Sequence, residues 1–195
     1  MLDAIAQLAA GFGLSTAAGL NAYLPLLILA LLARLTNLVT LEPPWDVLQS
    51  WWIIGLLAVL LTVEVIVDKI PAADTVNDVV QTVVRPVAGG VLFAASAGIV
   101  SDIHPVLALA CGLLVAGTIH AVKASARPAI TATTGGIGNP VLSTAEDIVS
   151  GILSVLAILV PIFVALITLL LLGLLVFWLL RRRRRHRETQ TPGWF

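Results

Sequence analysis

Long apolar stretches, separated by short polar segments, run along this chain. The apolar stretches cover 2–35, 51–67, 87–100, 106–122 and 148–180. A helix needs about 20 apolar residues to cross the hydrocarbon core of a membrane. The pattern therefore predicts an all-α, polytopic integral membrane helix bundle of about five spans, with further broken, re-entrant or interfacial helices. Composition agrees, because 59% of the residues are hydrophobic and only 11% are charged.

The first apolar stretch, 2–35, is too long to be one straight span. A helix of about 34 residues would reach about 51 Å, against a hydrocarbon core of about 30 Å. Small and polar residues interrupt the stretch, and Pro25 removes a backbone hydrogen-bond donor. We expect an N-terminal interfacial or re-entrant piece, a break near 19–25, and then a span that ends at Arg34. The break is either an ordinary proline kink or one wall of a polar chamber.

Most ionisable residues before Leu180 lie in two polar windows, 64–85 and 123–147. In the first window, polar residues recur at helical spacing opposite a row of valines, which predicts an amphipathic helix over 71–85. These polar residues are Asp74, Asn77, Asp78, Gln81 and Arg85. The apolar stretch 87–100 that follows is predicted as a separate, short span.

The second window contains an unusual stretch, 131–140, with three glycines and a proline at its end. Glycine permits sharp bends, and Pro140 disfavours a helix at the preceding residue, so we expect an irregular loop. Two interpretations are open: a loop on the outer surface, or a re-entrant loop buried in the protein. The spacing of Ser143 and Glu146 resembles a capping box that would start the next helix.

The basic residues are concentrated near the C-terminus. Six of the eleven lysines and arginines lie in Arg181–Arg187, directly after the last apolar stretch. Such a group stays on the cytoplasmic side, so we expect a transmembrane domain over 1–180 and a basic cytoplasmic tail over 181–195. The stretch 148–180 is counted as one span, kinked at Pro161. Counting five spans back places the N-terminus and both polar windows on the outer face. The tail is expected to bind anionic lipids rather than nucleic acid, through Arg181, Arg182, Arg183, Arg184 and Arg185.

Four charged residues near the ends of two spans form a candidate cluster. Glu64 and Asp68 are four residues apart, as are Lys123 and Arg127, and residues at this spacing share a helix face. Charges inside a membrane usually face the bundle interior and pair there. We expect Glu64 or Asp68 to pair with Lys123 or Arg127, as a structural clamp or as a gate or ion-coupling site. His120 could relay a proton or simply hydrogen-bond a neighbour.

A second set of residues would line a polar chamber between the two halves of the chain. Asn21 lies in the first break, Asn139 in the glycine-rich stretch, and Glu146 at the expected start of a helix. Helix N-termini that point at irregular polar loops favour anions or polar solutes. The substrate-lining candidates are Asn21, Tyr23, Thr134, Asn139, Glu146 and Asp147.

The chain contains a weak internal repeat and small residues that could serve contacts between helices. A shift of 57 residues aligns 55–57 with 112–114 and Pro71 with Pro128. Repeats of this kind occur in transporters, although leucine-rich spans also match by chance. Small residues permit close helix packing, within the chain or in a homo-oligomer; they are Ala94, Gly98, Gly112 and Ala116.

The sequence offers little support for an enzyme. It contains no phosphate-binding Gly-Lys-Ser/Thr loop and no Gly-x-Ser-x-Gly motif. No histidine or cysteine pair stands at metal-ligand spacing, and Cys111 is the only cysteine. We expect no catalytic residue, no metal and no cofactor.

Five motifs stand out: Gly19-Leu20-Asn21-Ala22-Tyr23-Leu24-Pro25-Leu26, Asp68-Lys69-Ile70-Pro71, Arg85-Pro86, Lys123-x-x-x-Arg127, and Gly135-Gly136-x-x-Asn139-Pro140-x-x-Ser143-x-x-Glu146-Asp147. Together they resemble an uncharacterised membrane-protein family, domain of unknown function forty-one twenty-six. The resemblance covers the chain to about Leu180 and implies a multi-pass protein of the bacterial inner membrane, with relatives in plants. The family often has a proline before the double glycine, where this chain has Thr134. The resemblance implies no reaction.

The sequence supports three hypotheses for function. The first is a transporter or channel-like protein that binds a small polar solute or ion in a chamber between broken helices. The second is a membrane scaffold or assembly factor that does not transport. The third is a lipid-modifying membrane enzyme, which has the least support because no catalytic motif is visible.

Overall fold

A computed structural model of the chain describes residues 2–97 and 104–188, and this part is helical with no strand. The α-helices are α1 (Leu2–Leu20), α2 (Tyr23–Leu35), α3 (Trp51–Val67), α4 (Pro71–Ala97), α5 (Pro105–Thr134), α6 (Gly138–Leu159) and α7 (Pro161–Glu188). A short 3-10 helix, Trp45–Gln49, precedes α3. The prediction of an all-α fold is confirmed. The end of the predicted span 87–100 and the tail after 188 lie outside the described residues.

Three helices of the described chain are long and apolar enough to cross a membrane. They are Asn77–Ala97, Pro105–Thr134 and Gly138–Leu159. Shorter apolar helices cover Ala4–Leu20, Tyr23–Leu35, Trp51–Val67 and Leu166–Trp178. Length and composition therefore agree with a helical membrane protein, whereas the number of spans stays a prediction.

Helix α1 lies at the centre of the bundle and packs against α4, α5, α6 and α7. Leu14, Ala17 and Ala18 are completely buried because neighbours surround the second half of α1. Ser15 Oγ donates to the backbone oxygen of Gly89, 2.8 Å away, so its hydroxyl is satisfied within the core. A helix that is surrounded by protein can have apolar and small side chains on all its faces.

The directions of α6 and α7 follow from their contacts with α1. Gly13 lies against Ala157 of α6, and Asn21, just after α1, contacts Asp147, so α6 runs antiparallel to α1. Helix α7 runs parallel to α1, because Gly13 lies against Val164 and Thr16 Oγ1 donates to Thr168 Oγ1 at 3.4 Å. Hence α6 and α7 are antiparallel to each other.

The prediction of one kinked span over 148–180 is therefore wrong. The chain reverses between Leu159 and Pro161. Proline suits the first turn of the new helix because N–H groups in a first turn make no hydrogen bond within the helix. Helix α7 returns to the end of the bundle at which Asn21 lies, and Arg181 follows there. The expectation that the arginine-rich tail and the two polar windows lie on opposite faces fails for the same reason.

The predicted break near 19–25 is confirmed, and it forms the tip of a helical hairpin. Helix α2 runs back along α1: Leu24 lies against Gly151 of α6, and Leu29 lines a cavity with Ala6 near the start of α1. Its 13 residues span about 20 Å, less than the hydrocarbon core of about 30 Å. Helix α2 alone is therefore shorter than the span that was expected to end at Arg34, whereas α1, with 19 residues, reaches about 28 Å.

Helix α4 joins two predicted segments, the amphipathic helix 71–85 and the span after it, into one helix. Its polar face points inward and its valines point outward. Gln81 and Arg85 are 1% and 0% exposed, whereas Val79 and Val83 are 70% and 66% exposed. This inverted arrangement is expected where the surroundings are lipid and the polar side chains need partners inside the protein.

The irregular loop predicted for 131–140 is replaced by a short turn. Helix α5 continues to Thr134, and Gly135 and Gly136 reverse the chain at φ values of 62° and 88°, which glycine adopts without strain. Helix α6 starts at Gly138, so Pro140 falls in its first turn, where it interrupts no helical hydrogen bond. The predicted cap at Ser143 is wrong, since Ser143 lies inside α6.

Close packing of α4 on α5 explains the small residues of these helices. A Cβ at Gly112 would collide with the backbone oxygen of Gly89, and Ala94 and Ala116 are buried. Gly112, Ala94 and Ala116 therefore serve contacts within the chain, whereas Gly98 lies outside the described residues. The 57-residue repeat gains no support, because Pro71 begins α4 whereas its counterpart Pro128 lies inside α5.

Candidate polar site

A buried group of polar side chains fills the bundle at the end where α1 meets α2. Its members come from the hairpin tip and from four helices or their ends, and we call them the polar cluster: Asn21, Glu64, Asp68, Asn77, Asp78, Gln81, Arg85, His120, Lys123, Arg127, Ser143, Glu146 and Asp147. Successive helices run in opposite directions, and this brings together four segments: the end of α3, the start of α4, the second half of α5 and the start of α6.

The deepest ion pair of the polar cluster joins Glu64 to Arg85. Arg85 NH2 donates to Glu64 Oε1 at 3.0 Å, and the side chains are 0% and 1% exposed. Arg85 NH1 lies 3.3 Å from His120 Nδ1, and His120 Nε2 lies 3.2 Å from Thr82 Oγ1. Because a guanidinium can only donate, Nδ1 must accept and Nε2 must carry the proton. His120 is therefore a neutral imidazole that links Arg85 to Thr82.

Lys123 and Arg127 of α5 bind acidic residues of α4 and α6. Lys123 Nζ contacts Glu146 Oε2 at 2.6 Å and also donates to the backbone oxygen of Leu20 at 3.3 Å. Arg127 NH1 donates to Asp78 Oδ2 at 2.7 Å. The same guanidinium lies 3.9 Å from Glu146 Oε2. These contacts join α4, α5, α6 and the end of α1.

Asp68, which follows α3, accepts hydrogen bonds from two other helices. Asn77 Nδ2 donates to Asp68 Oδ1 at 2.7 Å, and Ser143 Oγ donates to Oδ2 at 2.9 Å. Asp68 Oδ2 also lies 4.0 Å from Arg127 NH2. One of the predicted pairings, Asp68 with Arg127, thus appears as a long contact.

Glu64 pairs instead with Arg85, a residue that the sequence reasoning placed on an amphipathic helix and not in the charged cluster. Its spacing with Gln81 on the polar face of 71–85 was the signal that could have found it. That signal was ambiguous because a polar helix face can point toward water or toward other helices. The exposure of the surrounding valines decides between the two, because the face that points outward is the apolar one.

Asn21 holds the tip of the α1–α2 hairpin. Its Oδ1 accepts from the backbone N–H groups of Tyr23 and Leu24 at 3.1 and 2.9 Å, which satisfies two donors at the start of α2. Its Nδ2 donates to Asp147 Oδ1 at 2.9 Å. The Tyr23 side chain is half-buried in the neighbourhood of Gln81 and the Glu64–Arg85 pair. Asn21, Tyr23, Glu146 and Asp147 are thus brought to the polar cluster.

Asn139 and Thr134 lie further out. Asn139 is buried and bonds with Thr131, the Nδ2–Oγ1 distance being 3.0 Å. Asn139 also lines an open groove with Asp78, Thr82 and Arg127. Thr134 is exposed and accepts from the backbone N–H of Gly138, so it caps the turn and stays outside the polar cluster. The sequence predicted Glu146 and Asp147 at the start of a helix, whereas both lie inside α6, which starts at Gly138.

The described polar cluster contains more acid than base. Five carboxylates, Glu64, Asp68, Asp78, Glu146 and Asp147, face three cations, Arg85, Lys123 and Arg127. Around the Glu64–Arg85 pair, the buried atoms without a hydrogen-bond partner among the described residues include Glu64 Oε2, Gln81 Oε1 and Arg85 Nε. The network is therefore incomplete at the Glu64–Arg85 pair. The described residues contain no group of three His, Cys, Asp or Glu that could hold a metal ion.

The apolar helices and the buried polar cluster define a helical integral membrane protein. Comparison with models of protein families matches residues 8–182 to the family described as Domain of unknown function (DUF4126). The match covers most of the chain, so the protein belongs to this family, as its motifs indicated. No curated protein and no solved structure matched the chain in the other two comparisons.

Proposed function

We propose that the protein binds a small polar solute or ion at the polar cluster and moves it across the membrane. The buried ion pair Glu64–Arg85 carries this proposal, because ionised groups at membrane depth are costly and usually mark a pathway or a relay. A purely structural clamp would be expected to satisfy its own atoms. Here Glu64 Oε2 and Arg85 Nε are buried without a partner among the described side chains.

The groove between α4, α5 and the start of α6 provides access to the polar cluster. Asp78, Thr82 and Arg127 line the groove, and Thr82 contacts His120, which in turn contacts Arg85. A solute in the groove would therefore meet charged and hydroxyl groups that are connected to the buried pair. The hairpin tip at Asn21 closes the inner side of the polar cluster through Asp147. A broken helix at this depth is tolerated where protein buries it.

The orientation that supports this function places the polar cluster near the cytoplasm. Helix α7 brings Arg181 to the same end of the bundle as the polar cluster, and basic flanks remain cytoplasmic. In this arrangement α3 to α7 provide five crossings, and the α1–α2 hairpin enters from the opposite face. We place the protein in the bacterial inner membrane, with Arg181–Arg185 near anionic lipids.

Transport by purified protein in proteoliposomes tests the proposal. Solid-supported-membrane currents would be recorded after concentration jumps of sodium chloride, potassium chloride, ammonium chloride, sodium acetate and glycine, and after pH jumps. We expect a current for at least one probe, and we expect Asn139→Leu to reduce it at least about fivefold, because an amide in the groove is lost. Thr144→Leu is the matched control, since Thr144 is exposed on the same helix.

Two results would contradict transport. One is the absence of a current for every probe with folded wild-type protein. The other is an equal loss in the Asn139 and Thr144 variants, which would indicate a general effect of substitutions in α6. Reproducible co-purification of one partner together with silent vesicles would favour the scaffold hypothesis instead.

A further inference from the structure

The incomplete hydrogen bonding around Glu64 points to a particular ion. The Glu64 carboxylate uses Oε1 for Arg85, while Oε2 is buried without a donor among the described residues. Gln81, one turn before Arg85 on α4, contributes a second buried acceptor oxygen without a donor, and its side chain is 1% exposed. Two acceptors that lack donors need hydrogen, and a proton on Glu64 supplies one.

We infer that the coupling ion of the proposed transport is a proton and that Glu64 carries it. This inference depends on the transport function proposed above. In the step, hydronium from the aqueous side transfers one proton to Glu64 Oε2: an O–H bond of hydronium breaks, an O–H bond to Oε2 forms, and the carboxylate becomes a neutral acid while water is left. The acid O–H can then donate to a buried acceptor, and the excess of acid in the polar cluster falls by one.

A metal cation fits this position less well than a proton. Small metal cations require several oxygen ligands around them. The Arg85 guanidinium lies 3.0 Å from Glu64 Oε1 and would repel a cation bound at the same carboxylate. A proton needs only one oxygen and one acceptor, so it can be accommodated beside Arg85.

Protonation of Glu64 changes the contacts that lead to the groove. The neutral acid no longer attracts Arg85 as an ion pair, whereas Arg85 NH1 keeps the neutral His120 as an acceptor. His120 is joined to Thr82 in the groove, so the charge of Glu64 and the wall of the groove are linked. The charged and titratable groups around Glu64 belong to four helices or helix ends: Tyr23 of α2, Asp68 after α3, Arg85 of α4, and His120 and Lys123 of α5.

Proton flux into proteoliposomes loaded with pyranine tests the inference, with a potassium gradient and valinomycin as the driving force. We expect wild-type vesicles to acidify and Glu64→Gln to lower the initial rate at least about tenfold. Glutamine keeps the shape and an oxygen for Arg85, but it cannot be protonated. Glu42→Gln is the matched control, since Glu42 is exposed in the loop before α3. Folding of each variant would be checked by gel filtration and thermal unfolding.

A second measurement uses the wild-type protein alone and so remains valid if Glu64→Gln does not fold. Dicyclohexylcarbodiimide reacts with protonated carboxyl groups in apolar surroundings. We expect mass spectrometry to locate the adduct on Glu64 and the proton flux to fall with the extent of labelling. The absence of this adduct at pH 6 would overturn the inference.

The outcomes separate this inference from the proposed function. A folded Glu64→Gln protein with wild-type flux, or a current driven by sodium at equal pH on both sides, would refute the proton at Glu64 and leave transport standing. Wild-type vesicles that move no probe and no protons would refute transport itself.

Discussion

At the scale of single residues, Arg85 links parts of the polar cluster, a role that the sequence analysis did not predict for it. It is 0% exposed, bonds Glu64 of α3 and contacts His120 of α5. Replacing both members of a buried ion pair with apolar residues often costs little stability. Removing only one member costs much more, because it leaves an uncompensated buried charge. A variant that removes one charge of the pair should therefore be less stable than a variant that removes both charges.

We expect Arg85→Met to lower the free energy of unfolding by about 3–5 kcal/mol, because the Glu64 carboxylate is left buried without its cation. Adding Glu64→Gln to this variant should restore part of the loss, since no charge remains to be compensated. Unfolding of the detergent-solubilised protein in increasing SDS would measure both effects.

Arg34→Met provides the comparison for Arg85→Met. Arg34 is exposed at the other end of the bundle, where its Cζ lies 5.4 Å from the centroid of the Trp51 ring. Losing an exposed cation–π contact should cost no more than about 1 kcal/mol. Equal losses in the two variants would mean that burial of the pair has no special role.

At the scale of helices, α4 and α5 are held together by glycines that allow their backbones to touch. A Cβ at Gly112 would collide with Gly89 and come within 2.6 Å of Phe93 Cβ. Both contacts involve α4, and the backbone oxygen of Gly89 cannot move aside as a flexible side chain could. The helices would have to separate, which would also disturb the contacts of Arg85 with His120.

We expect Gly112→Ala to destabilise the protein by about 1–3 kcal/mol through overpacking. Gly55→Ala is the control, because Gly55 also lies inside a helix but has no neighbouring atom within 4 Å of the added Cβ. That change should be neutral or stabilise by up to about 1 kcal/mol. The two thermal unfolding curves would decide, and the reverse order would contradict the packing argument.

The sequence predicted elements better than their boundaries or directions. Apolar length alone indicated helices, and the polar break at Asn21 indicated an interruption. The continuous α4 was missed because a proline inside a helix usually breaks or kinks it, whereas α4 continues through Pro86. The tight turn at Gly135 was missed because two glycines at positive φ can end one helix and lead into the next without a longer loop. The reversal before Pro161 was missed because a kink and a reversal have the same local sequence.

The same limit applies to the candidate site. Spacing brought Glu64, Asp68, Lys123 and Arg127 together in prediction, and all four are buried at one end of the bundle. Their partners could not be assigned, since the pairing depends on how far each helix extends beyond its apolar stretch. Arg85 was placed on an amphipathic helix and not in the charged cluster, because a single sequence does not state whether lipid or water lies outside.

At the scale of the whole molecule, the antiparallel pair α6 and α7 determines which parts of the chain share one end of the bundle. It brings Arg181 to the same end as the α5–α6 turn, and it leaves the loop after α2 at the other end. Helix α7 is long and largely exposed to its surroundings, so its direction can be tested independently of the buried site.

Single cysteines placed in a Cys111→Ala background test this arrangement. We expect Thr134→Cys and a cysteine added after Phe195 to react with a membrane-impermeant maleimide from the cytoplasmic side. Leu38→Cys should react from the opposite side. Thr134 and Leu38 are both exposed, so each position is accessible in the folded protein. Opposite labelling of Thr134→Cys and the C-terminus would restore the single-span interpretation of 148–180.

The contact between Asn21 and Asp147 has a consequence for biosynthesis. It joins residues 126 positions apart, and it is the side-chain bond that anchors the amide at the hairpin tip to α6. While the ribosome is still translating the middle of the chain, that amide lacks its acidic partner. We therefore expect the N-terminal hairpin to reach its final position only after α6 has been synthesised and has left the translocon.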